Sequence, residues 1–95
     1  MSTGSGTRGW KITPILTYLA EEFPGHVVEC LAVPEELADR FVLVADDRVE
    51  HTLLVRRSWF DTYHADWRIV EALRNQMVAT QLRTAGNGAV ELVAR

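Results

Sequence analysis

The chain has 95 residues, 47% of them hydrophobic and 24% charged, with a formal net charge of −3. That size admits one domain with one core, and the balance is globular rather than disordered. No apolar run approaches the length of a membrane span, and a net acidic chain is a poor general binder of nucleic-acid backbones, where affinity comes from neutralising phosphates.

Met1 to Arg8 lack the basic-then-apolar order of a secretory signal. They read as part of a flexible tail over residues 1–9, ahead of one small domain over 10–95. Thr13 suits a helix N-cap and Pro14 the first helical position, where its missing N–H costs nothing. Ile15, Leu16, Leu19, Ala20 and Phe23 then form one apolar face, and Pro24-Gly25 ends a helix expected over about 14–23.

His26 to Val33 reads as a strand halted by Pro34, with one helical turn over Glu35–Asp39. Phe41 to Ala45 forms a second strand, Asp46-Asp47-Arg48 a tight turn, and Val49 to Ser58 a third strand. The turn has no glycine, so two registers stay open. A three-residue loop groups Phe41, Leu43 and Ala45 with Val49, His51, Leu53 and Val55. A two-residue loop groups Val42 and Val44 with the same third-strand residues, because one residue of slip exchanges the faces. Either register leaves apolar side chains on the second face, namely Val42, Val44 and Leu54, or Phe41, Leu43 and Leu54.

A long helix is expected from about Ala65 to Thr84, capped by Asp61, Thr62 or Asp66. Trp67, Val70, Leu73, Met77 and Val78 make its buried stripe, with Ile69 on the flank. Gly86-Asn87-Gly88 stops it, and Ala89 to Val93 adds a last strand. The fold class is therefore α+β, in the order α-β-β-β-α-β, a mainly antiparallel sheet with helices packed on one face. The first five elements resemble double-stranded RNA-binding domains in their order. With the further strand, the order is similar to that of small acidic secretion-chaperone folds that work as dimers. Both likenesses are topological: the basic, glycine-containing helix start of the RNA binders is absent, and no chaperone motif is present.

Candidate chemistry concentrates in Ser58 to Trp67, which holds four of the eight aromatic residues, a histidine and two carboxylates. Trp59, Phe60, Tyr63 and Trp67 would either wall a pocket or plug the end of the core. His64 and Asp66 form an H-x-D pair without a third ligand, and Asp61 would orient His64 only for acid–base work. Cys30 and His51 would face each other only across an intervening strand, about 9–10 Å apart, too far for proton transfer. No Cys/His cluster has zinc spacing, and no phosphate loop or nucleophile elbow occurs. No catalytic residue, metal or cofactor is therefore assigned.

The basic residues lie mainly in the second half, six against four acids after residue 50, compared with four against nine before it. The resulting expectation is a small cytoplasmic, non-enzymatic interaction module, homodimeric and binding an unidentified protein partner, with no membrane association. The binding residues would be Arg56, Arg57, Trp59, Phe60, Tyr63, His64 and Trp67, together with the apolar sheet face. One alternative is an RNA-binding domain using Arg56, Arg57, Arg68 and Arg74. Another is a small-ligand or catalytic pocket around His64. The single cysteine, Cys30, fits a reducing compartment.

Overall fold

The computed structural model describes residues 6–94. Its elements are α1 (Gly6–Glu22), β1 (Val27–Val33), a short 3-10 turn (Pro34–Glu36), β2 (Ala38–Ala45), β3 (Arg48–Arg56), α2 (Arg57–Thr62), α3 (Asp66–Asn75), α4 (Val78–Ala85) and β4 (Ala89–Leu92). The four strands stand in the order β1-β2-β3-β4. The first three form an antiparallel meander, and β4 returns beside β3 in parallel after the three helices. The α+β class and the helices on one face are as the pattern implies. No described helix is long and apolar enough to cross a membrane.

The core lies between the helices and one sheet face. Ile15, Leu19, Ile69, Leu73, Val78 and Leu82 come from the helices and pack on Phe41, Leu43, Leu53, Val55, Val90 and Leu92 from the strands. Trp59 and Phe60 of α2 complete this layer and are almost fully buried. Large aromatics supply much of the burial in so small a domain.

Several boundaries differ from the sequence expectation: β2 already begins at Ala38, within the helical turn expected over Glu35–Asp39, and that turn is only Pro34–Glu36. α1 begins at Gly6, so Pro14 sits inside it rather than at its start. Its first turns are tied down by Lys11, which is buried and donates from Nζ to the Phe60 carbonyl at 2.7 Å. Tertiary anchoring thus outweighs the hydrogen bond that Pro14 cannot make. Of the flexible tail expected over 1–9, residues 1–5 lie outside the described residues, and residues 6–9 belong to α1. The third strand ends at Arg56, and residues 57–62 turn into α2 instead.

The expected single helix over 65–84 is two helices, broken at Gln76-Met77, where Met77 adopts φ +54°. The reason is a slip in the apolar stripe. Ile69, Ala72 and Leu73 share one face, whose next positions on a continuous helix would be Gln76, Met77 and Thr80. The apolar residues that follow are instead Val78, Ala79 and Leu82, and only a break turns them onto the sheet. Met77, expected in the buried stripe, is exposed as a result, and so is Trp67. The N–H of Ala79 in the first turn of α4 then donates to the Tyr18 hydroxyl of α1 at 3.0 Å. That bond serves a donor the helix itself leaves unpaired.

The β2–β3 hairpin combines both sequence registers. Its loop has two residues, Asp46 and Asp47, both at positive φ, which aspartate tolerates better than most side chains. Ala45 pairs with Arg48 and Val44 with Val49, but Leu43 pairs with His51, so Glu50 is an extra residue. This bulge restores the offset of a longer loop. Phe41 and Leu43 therefore share the covered face with His51, Leu53 and Val55, while Val42, Val44 and Leu54 fall on the other.

Candidate functional site

The residues of the aromatic junction do not converge on one surface. Trp59 and Phe60 are core residues, their rings edge to face at 6.0 Å. Tyr63 is half-buried and lies 4.7 Å from the Trp59 ring. Together with Thr62, Gln76, Val93 and Ala94, these two line a cleft of about 290 Å³. The Trp59 indole N–H is buried there without a hydrogen-bond acceptor among the described residues. His64 is exposed on the α2–α3 connection.

Trp67 is 59% exposed and lines a different cleft from Trp59. It flanks a groove of about 490 Å³ between α1 and α3, lined also by Trp10, Thr13, Pro14, Thr17 and Val70. Arg68 stacks its guanidinium 4.9 Å from the Trp67 ring centre. Arg56 lies elsewhere. It donates to the Glu91 carboxylate and to the Glu36 carbonyl, the latter at 2.7 Å. Since Arg56 pairs with Ala38 and Glu91 with Leu54, both project from the sheet face opposite the helices. Arg68 and Arg74 belong to α3 on the covered side, so the sheet separates them from Arg56.

The sheet face opposite the helices carries several apolar side chains. β1 contributes Val27 and Leu31, which are 63% and 51% exposed. β2 adds Val42 and Val44, and β3 adds Leu54. Val33, Ala38 and Val42 are buried yet stand apart from the main core, a satellite patch on this second face. β4 joins the sheet edge and α1 packs on the core side, so neither terminal element folds over this face among the described residues. Glu29 pairs in register with Val42 and Leu31 with Arg40, which places an acid and a base diagonally about the apolar strip.

One cluster was invisible to spacing rules. His26 after the Pro24-Gly25 turn meets Glu50 and His51 of the β3 bulge, 24 and 25 positions away in sequence. The sequence signal available was the consecutive Glu50-His51 pair. In a regular strand these two would point to opposite faces, and only the bulge lets them converge. Comparison with protein-family models, with curated proteins and with solved structures finds no match.

Proposed function

We propose that this chain is a non-enzymatic, cytoplasmic interaction module whose uncovered sheet face pairs with the same face of a second copy. The observation that supports this reading is the pair of exposed apolar residues Val27 and Leu31, continued by the partly exposed Val44 and Leu54 on a face over which no described helix packs. Contiguous exposed apolar area of this kind marks interaction surfaces. Four strands at ~4.8 Å spacing, over about six residues each at ~3.3 Å, measure about 19 by 20 Å. Two such patches remove on the order of 1,000 Å² from water, the lower end of specific pairing, which fits a micromolar dimer.

Charge supports a second copy over an unrelated occupant. An isologous contact must be self-complementary, with residue i meeting j while j meets i. Glu29 of β1 and Arg40 of β2 are diagonal neighbours within this face, so a two-fold axis passing between them sets each acid opposite the partner copy's base. Light scattering across roughly 10–200 µM protein tests the pairing in the affinity range expected of a small interface. The wild type should pass from monomer to dimer, and Leu31→Glu should remain monomeric with unchanged circular dichroism. Glu29→Arg and Arg40→Glu should each weaken association, and the double reversal should restore it. A wild type that stays monomeric throughout, or a double reversal no better than the single changes, overturns the reading.

A further inference from the structure

We infer that His26, Glu50 and His51 form a binding site for a divalent transition-metal ion, zinc first among them. One nitrogen from each imidazole and one carboxylate oxygen lie within 4.8 Å of one another. His26 Nε2 is 2.9 Å from Glu50 Oε1. Neighbouring ligands on a tetrahedral zinc ion with bonds of ~2.0–2.1 Å stand about 3.3 Å apart, so the pair is already close to a shared coordination edge. Two imidazoles and one carboxylate are a donor set suited to zinc and its neighbours rather than to calcium or magnesium, which prefer all-oxygen sites. Three protein ligands leave a fourth position for water or a small anion.

The surroundings are those that a metal site needs. His51 Nδ1 lies 2.9 Å from the Gly86 carbonyl. A carbonyl only accepts, so Nδ1 carries the proton, and Nε2 of the neutral ring keeps its lone pair for an ion. This outer hydrogen bond fixes tautomer and ring orientation, as it does for most metal-bound histidines. Gly86 offers that carbonyl because it turns out of α4 at φ +62°. The Phe23 ring stands 5.7 Å from His26 and 5.0 Å from His51, an apolar wall behind both imidazoles.

His26 is the unsatisfied member. Its Nε2 donates to the Glu50 carboxylate, while its buried Nδ1 has no partner among the described residues. Ligation of an ion through Nε2 breaks this one hydrogen bond and, by exchange with solvent, leaves the proton of the neutral ring on Nδ1. Three elements meet here: the α1–β1 turn, the β3 bulge and the end of α4. An ion would clasp the open end of the covered layer.

Tag-free protein, treated with chelator and dialysed, is titrated with Zn²⁺ by calorimetry and loaded with Co²⁺ for visible spectroscopy. Zinc should bind one ion per chain, raise the melting temperature, and compete out a tetrahedral Co²⁺ spectrum. His26→Gln and Glu50→Gln, both at partly exposed positions, should each weaken binding at least tenfold while leaving circular dichroism unchanged. His64→Gln and Cys30→Ser should bind as the wild type does. Binding no tighter than about 100 µM, binding that survives His26→Gln and Glu50→Gln, or binding lost with His64 or Cys30 overturns the site.

Discussion

Leu53 and Leu54 are adjacent residues of one type in one strand, and they occupy opposite worlds. Leu53 is wholly buried beneath the helices, whereas Leu54 is only partly buried on the other side of β3. The covered face is continuous: Phe41, Leu43, Leu53, Val55, Val90 and Leu92 meet apolar residues from every long helix. The uncovered face interleaves its valines and leucines with Glu29, Arg40, Arg56 and Glu91. Composition alone barely separates the two. What separates them is the layer above, and the hydrophobic contribution of a strand residue follows area removed from water rather than side-chain type.

The widest contrast lies between the two tryptophans expected to act together. Trp59→Ala removes a side chain that is 2% exposed, and it should cost about 3–5 kcal/mol. A domain of this size holds only about 5–15 kcal/mol, so the variant should melt early or not fold. Trp67→Ala, at 59% exposure, should fall within about 0.5 kcal/mol of the wild type. Urea denaturation followed by far-UV circular dichroism measures both. A well-folded Trp59→Ala protein would show that α2 does not complete the core.

Next comes the leucine pair itself. Leu53→Ala should destabilise by about 3 kcal/mol or more, since it opens a cavity in the core. Leu54→Ala should cost less, about 1–2 kcal/mol in the monomer, because the residue is only partly buried and no helix packs over it. Measured at rising protein concentration, the Leu54 effect should grow if the open face is buried by a second copy. Equal costs at every concentration would erase the distinction between the faces.

Much of this division was legible in the letters, and the failures were local. The continuous apolar run Phe41–Ala45 and the valine- and leucine-rich Val49–Val55, either side of Asp46-Asp47-Arg48, mark two strands, and the apolar period after Asp66 marks helix. The face assignment was not legible, because the hairpin contains both a two-residue turn and a bulge at Glu50, and only their sum sets the register. The break at Met77 leaves a trace, the slip from Ile69, Ala72 and Leu73 to Val78, Ala79 and Leu82, but one helix through Met77 and Val78 fits the same letters. The candidate sites were least legible. Trp59 and Trp67 look alike in sequence yet lie apart, and His26 meets His51 only through long-range pairing.

Tyr18 offers a smaller test of the covered layer, through one hydrogen bond rather than a cavity. Tyr18→Phe strands the Ala79 N–H at the start of α4 and should cost about 1–2 kcal/mol. Burial raises the phenol above its ordinary 10.0, nearby Glu22 adds to this, and the Ala79 hydrogen bond opposes it. The folded state thus favours the neutral hydroxyl. That contribution is complete below the unfolded value near 10 and is lost as pH rises through the higher folded one. Stability should fall in strong alkali, and the Phe variant should fall less steeply. An identical alkaline limb in both proteins would mean that Tyr18 is not the group responsible.

The smallest expected change runs in the opposite direction. Met77 joins α3 to α4 with φ +54° and a side chain that is 58% exposed, so it gains little from packing while adopting a backbone region costly for a residue with a Cβ. Met77→Gly removes that cost and gives up only the minority of the residue's surface that is buried. Glycine also widens the unfolded ensemble, which offsets part of the gain. The net result should be a stabilisation of up to about 1 kcal/mol, seen as a higher urea midpoint with unchanged slope. If the helix ran unbroken through residue 77, the same substitution would instead cost about 1 kcal/mol, as glycine does in any helix interior. The sign of one small shift therefore decides whether the segment over the sheet is two helices or one.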